Sequence, residues 1–428
     1  MKKLYSILAC LWAASFCLTA CSDEGTKESA STNLTPDEHK EKLEDIGLAV
    51  LSKVKPEDHK TLLTTIDKFI EYVDNSDLDL ERNEDVQAAV NLARTMGDIC
   101  SCTDAAKLMA FARSGNNDLY TAAQYAKVYT YNNNNGTWTS APASDNTLEF
   151  RFPINNQQAV LKATASGNET LVDLFDDEDG IHYQALIPEK ATASFTLDGQ
   201  ALGDAAVTVA VNNESRTADV ACTFNANGYE FNANVHADKS NATANFSTVI
   251  KGETLLTATA NISGNNMTDE GQINGTVNGT YDAEEMFNGA DVEILVNNEA
   301  RIIASCSNVN NFIKLIDKLE DEYSWEEQTE QEYNDKLADA YNQYNKAELY
   351  YTDGDNVIAR ITMQSYMEEN PYYSEETYYD IEPVITFVSD DSSFSIESYF
   401  DDISFNDLIT SAEDLGEAYE DYLQYLLK

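Results

Sequence analysis

The sequence predicts an α+β protein: N-terminal helices, a large antiparallel β-meander forming an open or half-barrel sheet, and a C-terminal acidic helix, hairpin and helix region. Three observations predict it. Apolar residues recur at helical spacing before residue 118, at every second position from 119 to 306, and at helical spacing again near both ends of the last zone. Of 39 asparagines, 27 lie between Tyr120 and Asn311, where their tolerance of left-handed backbone suits tight turns. The 117 residues from Phe312 to Lys428 hold 30 acids against 6 bases, and 15 of the 24 tyrosines.

Residues 1–20 place Lys2 and Lys3 before an apolar run, Leu4 to Ala20, that is too short to remain as a membrane span. That is an export signal. Its end, Leu18-Thr19-Ala20-Cys21, resembles the lipobox of bacterial lipoproteins. The resemblance implies that Cys21 becomes an acylated mature N-terminus, with about 0.8 kcal/mol of membrane affinity per buried methylene. No later segment reaches 18 uninterrupted apolar residues, so the lipid is the one expected attachment. Ser22-Asp23-Glu24-Gly25 follows and resembles the surface-export signal of Bacteroidetes lipoproteins, which implies the outer face of the outer membrane, with the periplasmic leaflet as the alternative. Residues 21–33 form a flexible tether in both cases.

A helical segment is expected over 34–118. Thr35-Pro36-Asp37-Glu38 supplies an N-cap, a first-turn proline and an N3 glutamate. An apolar stripe of Leu43, Ile46, Val50 and Val54 follows, Lys55-Pro56-Glu57-Asp58 restarts the helix, and Leu62, Ile66, Phe69, Ile70 and Val73 form the next stripe. Glu84 to Met96 and Thr103 to Arg113 have the same pattern.

From 119 to 306 the alternation of Ala205, Val207, Val209 and Val211, of Val220, Cys222 and Phe224, and of Tyr229, Phe231, Ala233 and Val235 predicts strands wet on one face. Turn signals at Asn132 to Gly136, Gly199, Asn212-Asn213, Asn227-Gly228 and Gly264-Asn265 predict about fourteen strands paired sequentially. Val211-Asn212-Asn213-Glu214-Ser215-Arg216 recurs as Val296-Asn297-Asn298-Glu299-Ala300-Arg301. We read both copies as strand, turn and strand, with the glutamate and arginine on an exposed return strand.

Residues 307–428 begin with helical stripes at Phe312, Ile316 and Leu319, then Tyr333, Leu337, Tyr341 and Tyr344. Two hairpins follow, Ala347 to Gln364 and Tyr378 to Tyr399, and then a helix after Ser404. Periodicity leaves open whether these strands join the preceding sheet.

A formal charge of −48, or −50 once Lys2 and Lys3 leave with the signal, excludes nucleic acid as a partner, because phosphate contacts need basic patches. Asp176, Asp177 and Asp179 before Gly180 are a weak cation candidate; with Gly180 sixth, an EF-hand would start at Phe175 and end at Leu186, so that register fails. No Gly-x-Ser-x-Gly elbow and no phosphate-binding Gly-Lys-Ser/Thr loop occurs, and His39, His59, His182 and His236 lack ligand spacing, so no cofactor or metal is called for. Cys100, Cys102, Cys222 and Cys306 remain in the mature chain. Buried thiols are one expectation and a Cys222 to Cys306 bridge another, whereas Cys100 and Cys102 are too close to pair readily.

Tyr372, Tyr373, Tyr378 and Tyr379 are the best candidates for a ligand-binding surface, since exposed tyrosines stack on sugar rings. Packing between helix and sheet is their alternative role. Trp138 and Trp325 are expected as core anchors. Leu148-Glu149-Phe150-Arg151-Phe152-Pro153 leading to Ile187-Pro188-Glu189-Lys190 is similar to uncharacterised Bacteroidetes lipoproteins, which implies no activity. The expected function is a non-catalytic surface module with a glycan or envelope-protein partner. A carrier of an apolar ligand, resembling half-barrel lipoprotein carriers in architecture, is the alternative, and a carbohydrate-active enzyme is the weaker third. Oligomeric state is not legible.

Overall fold

A computed structural model describes residues 34–74, 126–143, 145–176, 182–212, 215–267, 287–323, 329–352, 356–369, 377–395 and 405–423. The signal, Cys21, the tether, the expected helices over 84–96 and 103–113, Cys100, Cys102 and Trp325 lie outside these residues. The helices are α1 (Pro36–Leu51), α2 (Pro56–Asp74), α3 (Val309–Glu322), α4 (Glu330–Tyr344) and α5 (Asn406–Glu420). Strands β1 (Lys127–Asn132), β2 (Thr137–Pro142), β3 (Thr147–Ile154), β4 (Gln157–Asp176), β5 (His182–Leu197), β6 (Gln200–Asn212), β7 (Thr217–Ala226) and β8 (Tyr229–Ala237) come first. They are followed by β9 (Asn241–Ile250), β10 (Glu253–Gly264), β11 (Phe287–Val296), β12 (Ala300–Cys306), β13 (Asn345–Tyr351), β14 (Asn356–Glu369), β15 (Thr377–Phe387) and β16 (Ser393–Ser395).

The fold is mixed and sheet-dominated. One open sheet of sixteen strands follows chain order from β16 to β3 and ends β3-β1-β2. The strands after α4 therefore join the same sheet, β13 pairing antiparallel with β12. Strict sequential pairing fails at one place. β1 lies between β2 and β3, and it pairs antiparallel with the first and parallel with the second. Twelve strands occupy the described residues from Lys127 to Cys306, and residues 268–286 of that stretch lie outside them. Gly167-Asn168, with Gly167 at φ 87, is absorbed inside β4 as a register shift instead of ending the strand.

Asparagine does the turning. Six of the ten non-glycine residues at positive φ among those described are asparagines, and Asn227-Gly228 (φ 48 and 85) joins β7 to β8. The two copies of the repeated hexapeptide both form hairpins, but with different loops. Val296 pairs with Ala300, whereas Asn212 pairs with Thr217. Asn297 and Asn298 (φ 52 and 56) turn the second copy, so Glu299 stays in the turn and Arg301 enters β12; in the first, Arg216 itself sits at φ 58. The expectation of glutamate and arginine together on a return strand is thereby corrected.

The chain divides into two compact units. Unit 1 takes the described residues of Met1–Lys53, Thr254–Met267 and Gly275–Ala412; unit 2 takes those of Val54–Glu253, Thr268–Asn274 and Glu413–Lys428. In unit 1, Ile46 of α1 and Leu408 of α5 meet Leu349, Tyr351, Ile385 and Phe387 of the sheet. In unit 2, Phe69 and Val73 of α2 meet Tyr129, Phe150 and Phe152, and Trp138 packs against this cluster as expected, its indole N–H donating to the Tyr72 carbonyl (3.2 Å).

The Cys222 to Cys306 bridge does not form. Cys222 on β7 is disulfide-bonded, but Cys306 on β12 is a buried thiol, and these strands are not sheet neighbours. A disulfide needs its Cα atoms within about 7 Å. The other sulfur of the Cys222 bond lies outside the described residues.

Candidate functional site

Few of the sequence candidates are described. Cys21 with Leu18, Thr19 and Ala20, and likewise Asp177, Asp179, Tyr372 and Tyr373, lie outside the described residues. Asp176 ends β4 and Tyr378 lies in β15. Tyr379 is half-buried beside the start of α4: its N–H donates to Glu330 Oε2 (3.1 Å) and its carbonyl accepts from Asn334 Nδ2 (2.8 Å). Among the described residues no three His, Cys, Asp or Glu side chains converge as a metal site, and no helix is long and apolar enough to cross a membrane.

Strand alternation gives the unit 1 sheet two chemically different faces. One carries Ala300, Leu349, Ala359, Ile385 and Phe387 and receives α1. Helix α4 packs on this face too, with Ser365 donating to Asp335 and Asn342 bonded to both backbone groups of Met363. The opposite face gathers Arg301, Lys346, Glu348, Tyr350 and Arg360. Arg301 faces Tyr350 in register, and Glu348 faces Arg360.

Glu348 is the centre of this group, only 4% exposed. A buried carboxylate needs partners on both oxygens. Arg360 Nε contacts Oε1 at 3.4 Å, Lys346 Nζ lies 3.2 Å from Oε2, and the Tyr350 hydroxyl donates to Oε2. Burial, then the hydrogen bond to Glu348, pushes the Tyr350 phenol up, so it remains a donor at any physiological pH. The Arg301 guanidinium lies 5.0 Å over the Tyr350 ring and 3.6 Å from Glu293 Oε1. The sequence reading missed this cluster, because only strand register brings residues 301, 348 and 360 together.

In unit 2 the face opposite α2 is lined by short polar side chains. Asn225 donates to Asp204 (3.0 Å), Asn232 to Ser247 (3.5 Å), and His236 Nδ1 lies 2.7 Å from Asp219. Asp219 raises the His236 pKa through that hydrogen bond. The α2-bearing face is apolar. Around Cys222, in register with Val207 and Ala233, it is half-buried, and Phe224, paired with Phe231, is 37% exposed.

Two histidines acquire partners that spacing did not reveal. His39, fourth residue of α1, is 1% exposed; its Nδ1 lies 3.2 Å from the Tyr351 hydroxyl and its ring stacks on Phe387 at 5.3 Å. His59, fourth residue of α2, has Nδ1 2.7 Å from the Tyr419 hydroxyl and its ring edge-on to Tyr229 at 4.1 Å. Burial lowers both pKa values, so each imidazole is held neutral. The signal that finds them is the recurrence of Pro-acid-acid-His-Lys at 36–40 and 56–60.

Comparison with protein-family models, curated proteins and solved structures finds no match to this chain.

Proposed function

We propose that the chain is a bacterial lipoprotein, held on the outer membrane by an acylated Cys21 and exposed at the cell surface, with a non-catalytic binding role. The observation that carries the binding role is the polar sheet face opposite the helices. In both units one face is consumed by core packing, while the other presents ordered hydrogen-bonding and charged groups. Polar ligands such as glycans, or an envelope protein, suit such a surface. The anchoring rests on Leu18-Thr19-Ala20-Cys21, and the surface address on the acidic residues that follow it.

Fractionation tests the anchor: a Cys21→Ala variant is expected in the soluble fraction, and its recovery with membranes sinks the lipid attachment. Protease treatment of intact cells tests the address, since a protein on the periplasmic leaflet survives until the envelope is broken.

A carrier role is the second candidate, favoured by the half-buried apolar stretch around Phe224 and Phe231. Such a stretch on a sheet face suits an acyl chain. Native mass spectrometry of protein purified from cells decides it: a co-purifying apolar molecule supports the carrier, and a bare polypeptide mass overturns it.

A further inference from the structure

The apolar sheet face of unit 2 is buried at both ends of β7, and α2 accounts for one of them. Leu62 of α2 stands over Gly203 beside Ala226, and Phe69 and Val73 carry the helix on to Phe150 and Phe152. Ala218 lies at the other end of β7 from Ala226, about 26 Å away. There Ala218 and Ala237 are 0% exposed, and Val209, Val220 and Ala242 are buried in the same two rows of the register. Alanine methyls are too short to hide one another on a sheet, so a second layer stands over these rows. The five residues belong to neither apolar cluster that α1 and α2 form.

Cys222, one row further along the same face, identifies that layer. It is in register with Val207 and is disulfide-bonded. Of the seven cysteines in the chain, Cys306 keeps its thiol, and on the lipoprotein reading Cys10 and Cys17 leave with the signal and Cys21 is acylated. Cys100 and Cys102 remain, both within residues 75–125 between α2 and β1. The reach is sufficient. Helix α2 ends beside β1, where Val73 meets Tyr129. Five strand spacings of about 4.8 Å, roughly 24 Å, separate β1 from β7, and residues 75–99 cover roughly 37 Å even if wholly helical. Val86, Val90 and Ala93 before the cysteines, and Ala105, Leu108, Met109 and Ala112 after them, recur at helical spacing, and the small ones suit close approach to a sheet face of alanines.

We propose that Cys222 is joined to Cys100 or Cys102, and that residues 75–125, pinned by this bond, are the layer over the Ala218 end of the apolar face. The bond forms as two thiols give two protons and two electrons to an oxidant whose own disulfide becomes two thiols, so the pairing rests on export from the cytoplasm. The half-buried row of Phe224 and Phe231 is then the seam between two packed layers rather than the floor of an acyl-chain site, which leaves ligands the polar face.

The test is disulfide mapping of the detergent-solubilised full-length protein, alkylated without reduction, cut with trypsin and read by mass spectrometry. Peptide 217–239, which holds Cys222, is expected joined to 95–107, which holds Cys100 and Cys102, at about 2 Da below their summed masses. Cys222 alkylated, or joined to Cys306 or to a second Cys222, overturns the pairing and leaves the Cys21 anchor standing. Cys222 joined to Cys21 overturns both, because acylation consumes that sulfur. The layer is tested by p-benzoylphenylalanine in place of half-buried Val235, in register with Val220. Photolysis is expected to join that position to residues 75–125; a crosslink elsewhere in the chain, a crosslink to lipid, or none overturns the layer.

Discussion

Helices α1 and α2 begin with nearly the same residues, Pro36-Asp37-Glu38-His39-Lys40 and Pro56-Glu57-Asp58-His59-Lys60, yet the two units seat them differently. In unit 1 the start is locally self-sufficient. Thr35 caps Glu38 N–H, Glu38 returns to Thr35 N–H at 2.7 Å, and these bonds hold the Glu38 carboxyl below its ordinary range. In unit 2, Lys55 stands where Thr35 does. Asp58 turns to Lys251 Nζ (2.7 Å) and the Tyr229 hydroxyl (3.1 Å), and that hydroxyl accepts from Lys55 N–H (2.9 Å). One residue before the proline decides whether a helix start is closed by its own chain or by strands about 170 residues away.

The histidines differ in the same sense. His39 is sealed, with Nε2 buried and without a hydrogen-bond partner, whereas His59 is half-buried between two tyrosines. The largest expected effect follows from that seal. Phe387→Ala, which removes the ring stacked on His39, is expected to destabilise unit 1 by about 3–5 kcal/mol in urea unfolding. A loss below about 1 kcal/mol in that measurement breaks the claim that the seal is tight.

Acid is the second way to press on the difference. Both folded pKa values lie below 6.5, where the unfolded histidine titrates, so the unfolded chain takes up protons first. Stability is complete above pH 6.5 and falls as the pH drops through and below that value. Lys42 opposes the charged form of His39, while Glu38 and Asp390 favour it; Asp58 favours that of His59, which Lys251 opposes. A His39→Gln variant is expected to lose less stability between pH 7.5 and 5 than the parent, and a His59→Gln variant to show a smaller difference. Parallel pH profiles for parent and His39→Gln sink this account. His236 has the opposite sign: its pKa is raised, so the small stability it contributes is present below pH 6.5 and fades as the pH rises.

The smallest effects sharpen the contrast at the caps. Thr35→Ala is expected to cost about 1 kcal/mol of thermal or urea stability, and Lys55→Ser to gain about 0.5 kcal/mol by giving α2 the cap it lacks. A neutral Thr35→Ala would place the start of α1, like that of α2, under tertiary control.

Local chemistry was legible in the sequence and register was not. The Thr35 to Glu38 capping box, the break at Pro56 and the Asn227-Gly228 turn each need only neighbours along the chain, so a short window contains the whole cause. The parallel seat of β1 beside β3, the different loops of the repeated hexapeptide and the Tyr351 partner of His39, 312 residues on, are set by packing between distant segments. The Glu348 cluster belongs with these. Arg301 and Arg360 look like unremarkable surface charges until β12, β13 and β14 align.

An open sheet leaves two strands at its edges, and among the described residues they are β2 and β16. Strand β2 has six residues and closes on Pro142, which cannot donate, while β16 has three. Neither offers a long template for another polypeptide to zip onto. Two copies meeting through these two strands therefore have little backbone with which to extend one another's sheet.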